Sequence, residues 1–178
     1  SITSVTIPNT VTKIGMSAFG DCKGLKKVTM ANSVKELSYG AFVNASSLEE
    51  ITLSNQITSL SMNLFYNCKN LKKITIPSSV TDIGESAFEN CESLDNVTIP
   101  NKVTHIGVEA FKKCTSLTKI TIPNSVTSID WEAFSYCTAL KDVSIGDGVT
   151  EIETKVFQGC TALTNVKIGN GMKEIPAQ

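Results

Sequence analysis

The sequence lacks the features that point to a membrane or to nucleic acid. Its 178 residues contain no apolar run that approaches the roughly 20 residues of a membrane-spanning helix. Neither sign of charge is in excess, since 16 Lys or Arg stand against 17 Asp or Glu and the net charge is −1. This balance gives no electrostatic signature for nucleic acid or for an anionic membrane. We therefore expect no nucleic-acid partner and no membrane insertion in this segment.

Residues that carry catalysis or hold metals are also scarce. The chain has one histidine, no Cys-x-x-Cys pair, no glycine-rich phosphate loop and no paired-acid constellation. A Ser-His-Asp or Cys-His set that repeats or clusters is missing as well. The sequence therefore predicts a protein that is not an enzyme, with no cofactor and no metal site.

What the sequence has instead is an internal repeat of 23 residues, without insertion or deletion. Every Phe lies on this period, every Cys lies on a second column in which Ala45 takes one slot, and a third column holds Leu. The columns are Phe19, Phe42, Phe65, Phe88, Phe111, Phe134 and Phe157; Cys22, Cys68, Cys91, Cys114, Cys137 and Cys160; and Leu25, Leu48, Leu71, Leu94, Leu117, Leu140 and Leu163, with Ile2 ahead. One such unit cannot bury its apolar side alone, so the period predicts a stack of units that cover one another.

Each repeat shows two hydrophobic periods in succession. In the repeat from Leu71, the alternation over residues 74–76 predicts a short strand that Pro77 ends, since proline has no N–H to donate. Residues 80–83 predict a second extended piece. Residues 85–91 then predict one or two helical turns whose Ala87, Phe88 and Cys91 share one face.

The pattern LxxIxIPxxVxxIGxxAFxxC resembles the leucine-rich repeats of the BspA type, over essentially the whole chain. The resemblance implies an α/β leucine-rich-repeat solenoid of about seven repeats. It would have a parallel β-sheet on its inner face, with short strands and helical turns on the other sides. We expect a single domain over residues 1–178. The chain has neither an initial Met, a signal peptide nor atypical end repeats, so we also expect it to be part of a longer array. A monomer is expected, with end-to-end association possible through the uncapped ends.

The six cysteines are predicted to be buried free thiols rather than disulfides. Their column accepts Ala45, so it demands a small apolar residue, which a free cysteine supplies. In-register neighbours also point their Cβ atoms in parallel, which is poor geometry for a bridge. Reduced thiols fit a cytoplasmic location, which stands as the alternative to a surface location.

Candidate binding residues lie in the outward columns of the first strand. Thr75, Thr98 and Thr121 belong to a threonine column, and charged residues stand beside it: Lys27, Glu50, Lys73 and Lys119. A protein partner could contact this face. The alternative is structural, because threonine is a good strand former and the charges of successive units alternate in sign.

Two further places stand out in the second half of the repeat. Trp131 and Tyr136 form the sharpest aromatic cluster, and aromatic residues of this kind anchor interfaces. The alternative is that each ring lies over an adjacent unit. His105 occupies an outward column, where we expect a solvated surface histidine; a catalytic pair with Cys114 would require a core cysteine to turn outward.

The resemblance to BspA-like proteins implies a function in protein binding. Such proteins lie on cell surfaces or are secreted, and they attach to host or extracellular-matrix proteins or to other microbes. Two alternatives remain: a structural spacer or stalk without a ligand of its own, and an intracellular protein-interaction scaffold that fits the unpaired cysteines.

Overall fold

The computed structural model describes residues 2–175 and confirms a parallel β-solenoid. Each turn of the solenoid, here called a rung, is one 23-residue repeat. Rung one begins at Ile2, and rungs two to eight begin at Leu25, Leu48, Leu71, Leu94, Leu117, Leu140 and Leu163. Strands of successive rungs pair in parallel and in register, so that Val5 lies beside Val28 and Val28 beside Ile51. Equivalent residues therefore lie next to one another along the stack.

Each strand spans two to four residues. The strands are β1 Ser4–Ile7, β2 Lys13–Ile14, β3 Lys27–Met30, β4 Glu36–Leu37, β5 Glu50–Thr52, β6 Ser59–Leu60, β7 Lys73–Ile74, β8 Asp82–Ile83, β9 His105–Ile106, β10 Lys119–Ile122, β11 Ser128–Ile129, β12 Asp142–Ile145, β13 Glu151–Ile152 and β14 Asn165–Lys167. The first strand of a rung alternates exposed and buried residues, as predicted, because one side packs on the core.

The second half of each rung corrects one prediction, because no helix occurs in the part of the chain that the structure describes. Residues 85–91 form consecutive turns instead of helical turns. The N–H of Phe88 donates to the carbonyl of Ala110 in the next rung at 2.8 Å, whereas the N–H of Ala87 bonds back to Gly84 at 3.2 Å. Alternate N–H groups thus point along the stack, which gives a third hydrogen-bonded face, here called the turn ladder.

Two left-handed residues in each of the first seven rungs explain why these segments are not helical. A residue in the left-handed region cannot continue a right-handed helix, and here one occurs every four residues. Their φ angles are between 49° and 71°. The two columns are Ser17, Gly40, Asn63, Ser86, Glu109, Glu132 and Lys155, and Asp21, Asn44, Asn67, Asn90, Lys113, Tyr136 and Gly159.

The sheet formed by the first strands is interrupted at rung five. Strands β1, β3, β5 and β7 form one sheet and β10, β12 and β14 form another, whereas residues 96–99 of rung five make only a single bridge, from Asn96 to Lys73. On rungs two and seven the N–H that follows the strand closes the ladder: Ala31 donates to Ile7 at 3.2 Å and Gly146 donates to Ile122 at 2.9 Å.

Prolines coincide with this interruption. The position of Ala31 and Gly146 is taken by a proline in three successive rungs, at Pro77, Pro100 and Pro123. Proline has no N–H, so the bond that Ala31 and Gly146 make cannot form on these three rungs. The second strands are not interrupted at this point, since β6, β8, β9, β11 and β13 form one continuous sheet through rung five.

The core is a stack of phenylalanine rings, flanked by the leucine, isoleucine, valine and alanine columns. Neighbouring rings lie 5.0–5.8 Å apart between centroids, with interplanar angles of 1–20°. Phe42, Phe65, Phe88, Phe111 and Phe134 are fully buried. Spacings in this range are favourable for aromatic pairs, so each ring is stabilised by contacts on both sides.

The cysteines are free thiols, as predicted. Five are buried, and each donates its Sγ–H to the carbonyl of a phenylalanine in the preceding rung, as Cys91 does to Phe65 at 3.3 Å. Burial raises the pKa of Cys68 to about 12 and that of Cys160 to about 11. Cys22 lies in the first rung of the column and is only partly buried.

We expect Phe88→Ala to lower the free energy of unfolding by about 3–5 kcal/mol, because it leaves a cavity between two stacked rings. Urea unfolding followed by circular dichroism measures the loss. Phe19→Ala is the matched control, because Phe19 is only partly buried and has a ring neighbour on one side. Equal losses for the two variants would contradict the stacked core.

We expect a thiol reagent near neutral pH to modify Cys22 rapidly in the native protein and the other five cysteines only as the protein unfolds. Burial keeps those five thiols protonated and out of contact with the reagent. The measurement is a colorimetric thiol count before and after addition of denaturant without reductant. Fewer than six thiols in denaturant would mean that disulfides exist, and several fast thiols in the native protein would refute the burial.

Candidate functional site

The outward residues of the first strands form a continuous polar surface, here called the threonine face. Thr75, Thr98 and Thr121 are exposed and follow one another on rungs four to six. Thr6, Thr29 and Thr52 continue the column on rungs one to three, in register through the paired strands. The predicted threonine residues are therefore brought together on one side of the stack.

A charged column runs beside the threonines and is partly neutralised. Lys27 Nζ lies 3.0 Å from Glu50 Oε2, and in the adjoining column Lys26 Nζ lies 3.6 Å from Glu49 Oε1. Both pairs are exposed, so each contributes only about 0–1 kcal/mol. Lys73 and Lys119 differ, because neither forms an ion pair with any carboxylate in the described residues.

Shallow depressions in the threonine face meet at rung five. One has a volume of about 560 Å³ and includes Asn96, Thr98, Lys119 and Thr121 among its lining residues. Another has a volume of about 710 Å³ and includes Glu50, Lys73, Thr75, Asn96 and Thr98. Their shared residues, Asn96 and Thr98, lie where the sheet is interrupted. Seven of the nine predicted site residues thus lie on one face, and six of them line these two depressions.

The predicted aromatic cluster is arranged differently. Trp131 is half-buried between two lysines of its own chain, with Lys112 Nζ 5.6 Å and Lys155 Nζ 5.7 Å from the ring centroid. Tyr136 is exposed, and its ring lies over Gly159 of the next rung, where a Cβ would come within 2.6 Å of it. Each ring therefore contacts an adjacent rung, as the structural alternative for this pair supposed.

A network of charged residues lies beneath Trp131 and was not recognised in the sequence. Lys112 forms ion pairs with Glu109 and Glu132, and all three side chains are at least four-fifths buried. Burial alone would lower the pKa of Lys112, but the hydrogen bonds to the two carboxylates raise it above its usual value. The cation is therefore held charged, and the network joins rungs five and six on the turn ladder.

Glu89 is a second buried acid on the same edge. Its carboxylate accepts a hydrogen bond from Ser86 Oγ at 2.9 Å. Burial raises the pKa of Glu89, and the bond from Ser86 only partly opposes that effect. The signal in the sequence was the pair of adjoining columns in which acids and a lysine replace small residues: Ser86, Glu109 and Glu132 in one, and Glu89, Lys112 and Ser135 in the other.

His105 is half-buried rather than fully solvated, and it joins three rungs. Its Nδ1 lies 2.8 Å from Asp82 Oδ1 on rung four, and its Nε2 lies 2.8 Å from Asp130 Oδ2 on rung six. Burial would lower the pKa of His105, but the hydrogen bonds to the two aspartates and their charges raise it overall. The Sγ–H of Cys114 donates a hydrogen bond to the carbonyl of Phe88 inside the core, so Cys114 does not face this histidine.

An exposed apolar ridge was also missed. Met16, Tyr39 and Met62 occupy one column on the first three rungs, and all three are exposed. Tyr39 Oη accepts a hydrogen bond from Asn63 Nδ2 at 2.9 Å. The ridge was visible in the sequence as a column in which the residue type is not dictated by the fold.

The surfaces described above are suited to binding another molecule through direct contacts. Within residues 2–175, no group of three His, Cys, Asp or Glu side chains could hold a metal ion. The same residues contain no helix that is long and apolar enough to cross a bilayer. What the surface offers is hydroxyl, amide and ammonium groups at regular spacing along a rigid stack.

Comparison with protein families explains the regular spacing. The sequence pattern of the BspA type leucine rich repeat region matches the chain in six copies, over residues 1–115 and 81–178. The chain belongs to the BspA-type leucine-rich repeat family. Leucine-rich repeat proteins of this kind serve in protein interactions and are generally not enzymes. The comparison with curated proteins gave no match.

Solved structures agree with this membership in the BspA-type family. The chain is similar to a leucine rich repeat protein from T. pallidum, with 27% identity, a TM-score of 0.83, and coverage of 90% of this chain and 77% of that one. A leucine-rich repeat protein from Bacteroides ovatus shows 22% identity, a TM-score of 0.62, and coverage of 96% and 70%. The pneumococcal vaccine antigen PcpA shows 19% identity, a TM-score of 0.68, and coverage of 92% and 41%. The last two likenesses show the fold alone.

The bridge through His105 predicts a stability that depends on pH. The pKa of His105 is higher in the folded protein than in the unfolded chain. The bridge therefore stabilises the folded state fully at pH values below the unfolded pKa, and this stabilisation is lost as pH rises through the folded pKa. We expect His105→Gln to be more destabilising at about pH 5.5 than at about pH 8.5, by less than about 1 kcal/mol for each of the two ion pairs. Urea midpoints of both proteins at both pH values measure this.

The companion variant for this experiment is Ser59→Gln. It places the same side chain at an exposed position of the same column, two rungs from His105. Its effect should be independent of pH in this range. A loss that is equal at both pH values for His105→Gln would contradict the charged bridge.

Proposed function

We propose that this BspA-type chain is a protein-binding and adhesion module of a cell-surface or secreted protein, and that its partner is a host or extracellular-matrix protein. The observation that carries the proposal is the threonine face, where Thr75, Thr98 and Thr121 lie exposed in a single column above the apolar core. The core columns are nearly constant along the stack, whereas the columns beside the threonines change in charge and shape. The side chains of those variable columns would determine which partner binds.

The rigidity of the solenoid supports this proposal. Strand pairing, the turn ladder and the phenylalanine stack hold the outward side chains in place before a partner arrives, so little ordering entropy is lost on binding. Repeat solenoids of this type present long surfaces that suit large and flat partners.

The unpaired thiols favour a second candidate, an intracellular interaction scaffold. Six free cysteines fit a reducing compartment better than an oxidising one. Both candidates use the threonine face, and they differ in the source of the partner. A structural spacer without a ligand is the remaining alternative, in which the outward columns only maintain the register of the strands.

A steric block of the threonine face tests the proposal. We expect the triple variant Thr52→Tyr, Thr98→Tyr and Thr121→Tyr to weaken binding to extracellular-matrix proteins by about tenfold or more, because bulky rings cover the contact surface without changing its charge. Tyrosine is a good strand former, so the thermal midpoint should hold. Biolayer interferometry against a panel of purified matrix proteins measures affinity.

The matched control carries the same substitution on another face. Thr58, Thr104 and Thr127 lie beside the second strands and are exposed, so changing all three to Tyr should leave binding unchanged. Equal weakening by both sets would mean that the threonine face is not the contact surface. Failure of every matrix protein to bind the unmodified chain would overturn the adhesion proposal, and partners found only among cytosolic proteins would favour the scaffold.

A further inference from the structure

The charge of the threonine face is uneven along the stack. On rungs two and three Lys27 is neutralised by Glu50, and on rungs seven and eight Asp142 accepts a hydrogen bond from Asn165 at 2.7 Å. Between them, Lys73 and Lys119 stand on either side of Asn96, and no described carboxylate pairs with either lysine. The acidic neighbours of these lysines in register, Glu50 beside Lys73 and Asp142 beside Lys119, are thus engaged with other residues. The two lysines leave a local excess of positive charge on a chain whose net charge is −1.

This positive segment coincides with the interruption of the sheet. The backbone N–H groups of Val97, Thr98 and Ile99 make no hydrogen bond to a neighbouring rung within the described residues. The side-chain amides of Asn96 and Asn101 likewise have no partner there. Hydrogen-bonding groups that the fold leaves unused thus lie within the depressions that contain the two unpaired lysines.

We propose that this segment of the threonine face binds an extended acidic stretch of a protein partner. The inference rests on the proposed function and specifies the partner's chemistry. Apart from the carboxylate of Glu50, which is paired with Lys27, the polar groups of the lining are ammonium, amide and hydroxyl, so the lining favours a polar ligand with carboxylates rather than an apolar helix. The partner lies on the face and does not enter the sheet, because the rings of Phe88 and Phe111 are 5.0 Å apart and leave no room for another strand.

The spacing of the lysines suggests the form of the acidic stretch. Lys73 and Lys119 are two rungs apart, or about 10 Å at the usual distance between strands. In a polyproline II segment, side chains three residues apart lie on the same side and about 9 Å from each other. Two acidic residues with two residues between them would therefore face the two lysines at once, while Asn96 contacts the backbone between them.

Titration with a defined peptide tests this proposal. The probe is a synthetic peptide that contains Glu-Pro-Pro-Glu, and the matched peptide contains Gln-Pro-Pro-Gln. We expect the glutamate peptide to shift the amide resonances of Thr75, Thr98 and Thr121 in ¹⁵N-labelled protein, and the glutamine peptide to bind at least about tenfold more weakly. Added salt should weaken the glutamate peptide further. Equal binding of the two peptides would overturn the proposal.

Charge reversal assigns the site. Lys73→Glu combined with Lys119→Glu should abolish saturable binding of the glutamate peptide, because both cations become repulsive. Lys35→Glu combined with Lys113→Glu changes the net charge equally at exposed lysines off the threonine face and should leave binding intact. Equal losses in the two variants would show a non-specific charge effect and would overturn the site.

A second probe separates a protein partner from a polysaccharide. Polygalacturonate carries closely spaced carboxylates without a peptide backbone, and we expect it to bind more weakly than the glutamate peptide. Binding of polygalacturonate alone would contradict the peptide assignment. The variant with Lys73→Glu and Lys119→Glu is also tested against any matrix protein that binds the unmodified chain. If this variant still binds that matrix protein, the inference of an acidic segment fails while the protein-binding proposal stands. If the unmodified chain binds no matrix protein, both fail.

Discussion

Backbone hydrogen bonds between successive rungs are the interaction on which the rest of this solenoid depends. They run along all three faces: the first strands, the second strands and the turn ladder. Because each bond joins residues that are 22 to 24 positions apart, the 23-residue period must be kept without insertion. The same constraint places Phe over Phe and Cys under a phenylalanine carbonyl, so the core follows from the register.

The register and core could be predicted from the sequence because both repeat. A column in which every member is Phe or Leu has one physical explanation, a stack with like residues in contact. The turn ladder was predicted wrongly, since the apolar spacing of Ala87, Phe88 and Cys91 fits a helix equally well. The missed signal was the position before Cys, where Asp21, Asn44, Asn67, Asn90 and Gly159 are residues that accept the left-handed region.

The surface could be predicted only in outline. The sequence placed the threonines and their charged neighbours on one face, because outward positions follow from strand alternation. It did not reveal the bridge through His105, since one of its partners, Asp130, stands in a column where glycine occurs at Gly84 and Gly107. It did not reveal the network around Lys112 either, because burial of charged residues depends on side-chain packing across rungs. A contact that is made on only one or two rungs produces no repeating pattern in the sequence, so it cannot be predicted from the repeat.

The interruption of the first-strand sheet has a mechanical consequence. Between rungs five and six, the hydrogen bonds of the first strands are missing, so tension along the stack is carried there by the second strands, the turn ladder and the apolar core. Hydrogen bonds that share a load resist rupture together, and a junction with fewer of them yields sooner. A stretched molecule would therefore part first at this junction, which lies within the three rungs that carry proline after the first strand.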